Sequence, residues 1–212
     1  MTNFSALTTI QDSTAAMTET NQTRENMIDS AEKLFWIKGY KATSIDDIVA
    51  DAGQSKGAFF HYFKSKKDVT LLALEKYARE EIFLPIDMHF NQHKSIKEFL
   101  LSWAHEKYRE DSLRNHKGGC MLGSLAQDFA DTDKDIRELC LKLFLEWENL
   151  LVSHFRGAEK TGTLLMEPRQ FARVIIANYQ GLMLSIKTHK DKNRAGRDFQ
   201  AFAELLERLI KD

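Results

Sequence analysis

The chain has 212 residues, a formal net charge of −1, 43 % hydrophobic residues and 29 % charged residues. This balance excludes a disordered or generally basic chain, and no apolar run approaches the ~20 residues that span a bilayer, so no membrane partner is expected. Two cysteines without a C-x-x-C spacing indicate a reducing compartment, and the predicted location is cytoplasmic.

The N-terminal residues predict no packed structure before the first helix. Residues 1–20 lack hydrophobic periodicity, Lys and Arg, so we expect a disordered tail without an export signal. An amphipathic helix is predicted over about 23–38, and Gly39 is placed to end it.

The stretch 45–67 carries the most informative pattern in the chain. Ser44 is a predicted helix N-cap in a capping box, and Gly53 then allows the tight turn that ends this short helix. A second short helix follows at once, with apolar residues at i, i+3 and i+4. Two short helices across a Gly-containing turn predict a helix-turn-helix.

The charge of this stretch indicates what its surface binds. Residues 52–67 contain four lysines and no acidic residue, which gives a local charge of +4 in a nearly neutral chain. The outer face of the second helix bears Ser55, Lys56, Gly57, Ala58, Phe60 and His61. A cluster of cations beside small residues suits the phosphates and major groove of double-stranded DNA. A solvated lysine-rich surface is the alternative, and the helix-turn-helix makes it the weaker one.

These residues resemble the signature of TetR/AcrR-type transcriptional repressors over roughly 23–74. The matching residues are 43–53, 55–57 and 59–66, with Ala31, Leu34, Phe35, Gly39 and Tyr40 upstream. The resemblance implies an all-α homodimer whose third helix enters the major groove, and a small-molecule effector that releases the DNA. It divides the chain into a tail at 1–20, a DNA-binding domain at 21–67 and an effector-binding and dimerisation domain at 68–212.

The resemblance also implies individual DNA contacts. Those facing bases and nearby backbone are Ser55, Lys56, Gly57, Ala58 and Tyr62, and those holding phosphates are Thr43, Ser44, Phe60, Lys64 and Lys66. Two positions depart from the family pattern. Phe60 replaces a more usual tyrosine, and Gln54 stands where an apolar residue is common.

The rest of the chain predicts further helices, about nine in all, so the fold class is all-α. There is no strand-like alternation, and the chain has only two prolines. Predicted helix starts are Ser65 with Asp68, Ser95 with Glu98, Thr132 with Asp135, the Gly119–Cys120 pair, and Pro168. Pro85 falls inside a long helical pattern, where a kink and a simple helix end are equally open.

The helix after Pro168 predicts dimerisation. One of its faces is apolar, and a second face carries Ala177, Gly181 and Ser185, small residues spaced four apart that allow another helix to approach closely. We expect a four-helix bundle formed with the last helix, which contributes Phe202 and Leu206. A two-fold dimer would present two recognition helices to a pseudo-palindromic site.

An interior effector pocket is the third candidate site, and the resemblance favours it for the region as a whole. Its candidate residues are Trp103, Cys120, Phe144, Trp147, His154, Asn178 and Met183, which suit a mostly apolar or aromatic ligand. For each residue taken alone, a core position is the favoured interpretation. Cys120, at a helix start after two glycines, has redox or electrophile sensing as a minority alternative.

No cofactor, metal or enzymatic activity is expected. His89 and His93 have metal-ligand spacing but lack a third ligand, and motifs for nucleotide binding, acyl transfer and zinc proteolysis are absent. Two alternatives stay open. One is a helical enzyme or carrier without DNA affinity, and the other is an activator or architectural DNA-binding protein.

Overall fold

The computed structural model describes residues 5–160 and 164–211. Its helices are α1 Ser5–Lys38, α2 Ile45–Asp51, α3 Lys56–Tyr62, α4 Lys66–Tyr77, a π-helical segment Ala78–Phe83, α5 Leu84–Gln92, α6 Ile96–Leu113, α7 Met121–Phe129, α8 Lys134–Lys160, α9 Pro168–His189 and α10 Lys192–Arg208. Because α4, the π-helical segment and α5 are continuous, the described residues form nine helical segments and no strand. The predicted all-α fold is confirmed.

The chain divides into two compact units, residues 1–73 and residues 74–212. The predicted boundary, after residue 67, lies at the start of α4, whereas the structural boundary lies inside this helix. No Gly or Pro occurs between residues 66 and 84, so no sequence signal marks the division.

The first helix is longer than predicted. It begins at Ser5 rather than near Thr23, so residues 5–20 are helical where the composition predicted disorder, and residues 1–4 lie outside the described part. No Gly or Pro precedes Gly39 that would stop a helix. The helix ends at Lys38 as predicted, and Gly39 has a φ of 86°.

Tertiary packing stabilises the two short helices of the first unit. α2 and α3 have seven residues each, too few to persist alone in water. Phe59 of α3 is fully buried, and its ring centroid lies 5.1 Å from that of Phe63. Met27 and Ala31 of α1 are also fully buried, so the long helix and the two short ones form one core.

Helix starts in the second unit largely follow the predictions. α7 begins after Cys120, and α9 begins at Pro168. The start of α8 was predicted one residue too early, because the carboxylate of Asp133, not the hydroxyl of Thr132, accepts the backbone N–H groups of Asp135 and Ile136 at 3.0 and 3.1 Å.

Pro85 does not end its helix. It lies in the first turn of α5, directly after the π-helical segment, and the helical run continues to Gln92. Proline has no N–H to donate to the Glu81 carbonyl one turn earlier. Lys107 of α6, 7 % exposed, donates its Nζ to that carbonyl at 3.2 Å. A buried ammonium therefore satisfies the backbone group that proline leaves free.

Candidate functional site

The helix-turn-helix of the first unit has a short, tightly bonded turn. The Gln54 N–H donates to the Val49 carbonyl at 2.8 Å, and Gly53 between the helices has a φ of 64°. Ser44 caps α2 in the predicted capping box, since its Oγ accepts the Asp47 N–H at 3.0 Å and its own N–H donates to the Asp47 carboxylate at 2.8 Å. The Ser44 hydroxyl, which donates to the Asp47 carboxylate at 2.5 Å, and the Ser44 N–H both lower the pKa of that carboxyl.

The outer face of α3 is exposed, as its sequence pattern predicted. Ser55 caps this helix by accepting the Ala58 N–H at 3.1 Å. Of the predicted contact residues here, Ser55, Lys56, Gly57, Phe60 and His61 are exposed, and Ala58 and Tyr62 are half-buried. Phe60 is 51 % exposed although the adjacent Phe59 is fully buried, so a large apolar ring lies on the same surface as the lysines.

An ion pair that the charge count did not include lies on this surface. Lys56 Nζ is 2.9 Å from the Asp46 carboxylate of α2, a residue just outside the acid-free stretch. Both side chains are more than half exposed, so the pair contributes little to stability and can exchange for a phosphate.

Lys66 is held by the protein itself. Its Nζ donates to the Tyr40 and Thr43 carbonyls, each at 3.0 Å, and lies 3.8 Å from the centroid of the Tyr40 ring. Partial burial lowers the pKa of this ammonium from its usual value. An ammonium has three donors, so one N–H is left for a phosphate. Lys66 therefore ties the α1–α2 connection to α4.

The Thr43 side chain does not lie on the DNA-facing surface, contrary to the prediction. The residue is 1 % exposed, and its Oγ1 donates to the Gly39 carbonyl at 2.9 Å. The hydroxyl satisfies a carbonyl at the end of α1 instead of a phosphate. Ser44 and Lys64, which share its predicted role, are exposed.

In the second unit, two of the proposed pocket residues meet around a buried tyrosine. The ring centroid of Tyr179 lies 5.2 Å from that of Trp103 and 5.7 Å from that of Trp147, and all three residues are at most 9 % exposed. Neither indole N–H has a hydrogen-bond partner among the described residues. Phe144 stacks on Trp147 at 6.4 Å, and Met183 is buried.

Two other predicted pocket residues lie elsewhere. The Asn178 side chain is exposed, and its Nδ2 donates to the Val174 carbonyl at 2.8 Å, so it does not line an interior pocket. His154 Nε2 is 2.8 Å from the Asp87 carboxylate, and its ring stacks on Phe90 at 4.0 Å. A polar residue on an apolar stripe was thus satisfied by its own neighbours in both cases.

Cys120 is 4 % exposed and belongs to a hydrogen-bonded cluster. Gln180 of α9 donates its Nε2 to the Cys120 sulfur at 3.3 Å, and the Tyr77 hydroxyl also bonds this side chain. Burial raises the pKa of Tyr77 well above its usual value. A Cβ on Gly123 would lie 2.0 Å from Gln180 Oε1, so the glycine makes room for this amide.

A surface cavity of about 460 Å³ lies between α6 and α10, and none of the predicted pocket residues lines it. Its walls include Ala104, Tyr108, Phe199 and Ala203. The sequence signal that could have found it is the small residues at Gly196 and Ala203, two turns apart on α10.

Two of the five residues predicted for dimerisation are open in the single chain. Ala177 and Gly181 are exposed, and a Cβ built on Gly181 meets no atom within 4 Å. Ser185 is half-buried and donates its Oγ to Asp198 at 3.2 Å. Phe202 and Leu206, 5 % and 0 % exposed, are instead buried in their own protomer, so they were wrongly placed on the dimer face. Both lie on the side of α10 that packs inward.

The remaining chemistry-bearing residues form no metal site. Within residues 5–160 and 164–211 there is no group of three His, Cys, Asp or Glu that could hold an ion. The His89 and His93 rings stack with centroids 6.4 Å apart. In the same described ranges, no helix has the length and apolarity needed to cross a membrane.

An exposed, lysine-bearing second helix in a helix-turn-helix, carried by an all-α chain, defines a DNA-binding regulator. Two family models match the chain: "Bacterial regulatory proteins, tetR family" over residues 27–72 and "Tetracyclin repressor-like, C-terminal domain" over residues 101–202. The chain belongs to the TetR family of transcriptional regulators, and the relatives it matches are regulators, not enzymes.

Individual relatives can be aligned with this chain over most of their length. An uncharacterized HTH-type transcriptional regulator of Lactococcus lactis is 26 % identical over 88 % of this chain and 94 % of its own. The uncharacterized regulator YxaF of Bacillus subtilis is 29 % identical over 83 % of this chain and 91 % of its own. The crystal structure of a TetR regulatory protein from Rhodobacter sphaeroides superposes with a TM-score of 0.78 at 22 % identity, covering 88 % of this chain and 98 % of that one.

Proposed function

We propose that the protein is a cytoplasmic, homodimeric repressor that binds a pseudo-palindromic operator and is released by a small-molecule effector. The observation that carries the proposal is the exposed face of α3, framed by lysines, inside the segment that matches the DNA-binding family model. The second match, to a repressor-like C-terminal domain, supports a ligand-responsive second unit.

In this proposal α3 enters the major groove. Lys56 leaves Asp46 and joins Ser55, Gly57, Ala58 and Tyr62 at bases and nearby backbone. Groups for the flanking phosphates are Ser44, Lys64 and the free N–H of Lys66, with the Phe60 ring against the sugar-phosphate backbone. The exposure of Ser44, Ser55, Lys56, Gly57, Phe60 and Lys64 and the absence of acidic side chains in the first turn of α3 support this docking.

Dimerisation and effector binding rest on separate observations. The open strip at Ala177 and Gly181 leaves space for the same helix of a second copy. The two buried indole N–H groups of Trp103 and Trp147 support an effector with a hydrogen-bond acceptor on a flat, apolar body.

Removing a phosphate contact should change the salt dependence of DNA binding. Lys64 is exposed, so Lys64→Ala is expected to leave the fold unchanged and to make the slope of log K against log salt less steep by about 0.9. Lys66→Ala should flatten the slope similarly and also destabilise the protein, since the Tyr40 and Thr43 carbonyls lose their donor. Fluorescence anisotropy with a labelled random duplex between 50 and 200 mM salt, a range in which phosphate contacts are resolved, measures both.

The control is Lys134→Ala in the second unit, whose side chain is 73 % exposed and which should keep the wild-type slope. Equal slopes for all three variants and the wild type would exclude both phosphate contacts. A wild-type protein that binds no duplex at low salt would remove the proposed function.

A second candidate function is thiol-based sensing through Cys120. The Gln180 amide on its sulfur couples any modification of the thiol to α9, the proposed dimerisation helix. Burial raises the pKa of Cys140 to about 11, which keeps this second thiol unreactive at neutral pH.

The test is labelling of the folded protein by iodoacetamide at several pH values, with Cys120→Ser and Cys140→Ser as the matched pair. Sensing predicts that labelling requires Cys120, leaves Cys140 unmodified near neutral pH and lowers DNA affinity. If labelling of Cys120 leaves the DNA affinity unchanged, Cys120 is a core residue and not a sensor.

A further inference from the structure

The cavity between α6 and α10 is a mostly apolar recess on the surface of the second unit. Its volume of about 460 Å³ falls in the range of small-molecule sites. Tyr108 and Phe199 form an aromatic wall, with ring centroids 5.3 Å apart and planes tilted by 57°. Ala104 and Ala203 contribute the small side chains that leave the space open.

Gly196 sets the shape of one end of the cavity. A Cβ at this position would lie 3.2 Å from the Tyr108 hydroxyl oxygen and 3.7 Å from the carbon that bears it. The tyrosine therefore lies directly against the backbone of α10. A larger residue at position 196 would push this ring and change the recess.

The polar lining of the cavity includes two carboxylates and the imidazole of His105. Glu204 and Glu207 of α10 are on its lining, and none of the ten lining residues is Lys or Arg. Lys97 pairs with Glu207 at 3.1 Å. Glu204 accepts the Gln200 amide at 3.1 Å and contacts no cation within the part of the chain that the structure describes. One carboxylate beside the aromatic wall is thus available to a ligand.

We propose that this cavity binds a small organic cation with an aromatic or branched apolar body. The apolar body would lie between Ala203 and the Tyr108 and Phe199 rings, and the cationic centre would lie near Glu204. A ring face and a carboxylate both attract a cation. A bulky organic cation is weakly hydrated, so it loses little hydration energy when it enters an apolar recess. A neutral ligand of the same shape would gain only the apolar contacts, and an anion of that shape would be repelled by the carboxylate.

The site is distinct from the Trp103, Trp147 and Tyr179 cluster but is connected to it by α10. The Phe202 ring of α10 lies 6.1 Å from the Trp103 ring, on the inner side of the helix that lines the cavity. A ligand that shifts α10 would alter this contact and the surface that α10 offers a second copy. This regulatory consequence rests on the proposed function, whereas ligand binding itself does not.

Isothermal titration calorimetry with tetraphenylphosphonium, and with tetraphenylborate as an anion of the same shape, tests the charge preference on the full-length protein. The cation is expected to bind at least about tenfold more tightly than the anion. Ala203→Phe fills the recess and should abolish binding of the cation. Glu204→Gln should weaken it about threefold to tenfold, and Glu138→Gln, an exposed carboxylate of α8, should not.

Circular dichroism identifies folded variants, and Gly196→Leu is the second cavity-filling change if Ala203→Phe does not fold. Equal binding of the two ions, or full binding by a folded cavity-filling variant, would overturn the proposal.

The titration is repeated with operator-free protein and with protein bound to DNA. A protein that binds the cation but no DNA would refute the proposed function and leave the cation site standing.

Discussion

Phe59→Ala is expected to destabilise the first unit by about 3–5 kcal/mol, the usual cost of emptying a fully buried phenylalanine site. The ring packs against Phe63 with centroids 5.1 Å apart and holds α3 on the core. Since a seven-residue helix has no stability of its own, α3 should lose its orientation together with this contact. DNA binding should therefore be lost as well.

Hydrogen exchange of the full-length protein, followed by mass spectrometry of peptides from residues 27–72, resolves this effect from the second unit. Phe59→Ala should speed exchange throughout these peptides, because their opening free energy falls. Unchanged exchange there would show that α3 does not depend on this core.

The neighbouring residue provides the matched control. Phe60 is 51 % exposed, so Phe60→Ala should leave the exchange pattern unchanged and lower DNA affinity alone. Phe60→Tyr would restore the hydroxyl that the family more usually has and should raise affinity by up to about tenfold through one new phosphate hydrogen bond. Comparing Phe59→Ala with Phe60→Ala therefore distinguishes the effect on folding from the effect on DNA binding.

The helix-turn-helix could be predicted because its signals are local. Capping by Ser44, the turn at Gly53 and the apolar spacing of α3 each involve residues within about one turn of one another. Their hydrogen bonds and dihedral angles in the structure agree with the pattern. The outward face of α3 follows from the same spacing, since Phe59 and Phe63 can only point to the core.

Side chains whose partners are distant in sequence could not be assigned this way. Lys66 is polar and lies in the matched motif, yet its ammonium is bound to two carbonyls more than 20 residues away. Thr43 is also buried, although its partner, the Gly39 carbonyl, is only four residues away. Asp46 neutralises Lys56 only because the turn brings α2 beside α3. A motif fixes the residue type, while the direction of the side chain depends on the tertiary fold.

The second unit shows the same limit for helix faces. A hydrophobic stripe on α10 could serve either the protomer core or a partner, and burial of Phe202 and Leu206 shows that it serves the core. On α9, Ala177 and Gly181 are exposed and do not fill the core, so their contact with a second copy stays a prediction. The cavity between α6 and α10 arises from residues about 90 positions apart, so the small residues Gly196 and Ala203 of α10 indicate only one of its two walls.

Gly181→Leu is expected to convert the proposed dimer into a monomer without harming the protomer. A Cβ at this position meets nothing within 4 Å, and leucine has a helix propensity about 0.8 kcal/mol better than glycine, so the single chain should fold at least as well. In a dimer formed through α9, however, four added carbon atoms would occupy the line along which the two backbones approach.

Loss of the dimer should cost far more DNA affinity than any single contact. Two recognition helices on one rigid body bind two half-sites with a high effective concentration, and a monomer forfeits about 10²–10⁴ of the affinity. Sedimentation velocity at micromolar protein and anisotropy with the operator, identified by genomic binding, measure the two effects together.

Ser153→Leu adds the same side chain to an exposed position of α8 and should leave both the mass and the affinity unchanged. Should Gly181→Leu remain dimeric, the open strip on α9 is not the interface. Should it become monomeric and still bind the operator as tightly as the wild type, the two half-sites are not read by one dimer. A symmetric dimer is supported only if Gly181→Leu both halves the sedimenting mass and lowers the operator affinity. The substitution lies in the second unit, outside the DNA-binding segment at residues 27–72, so it does not alter the DNA contacts directly.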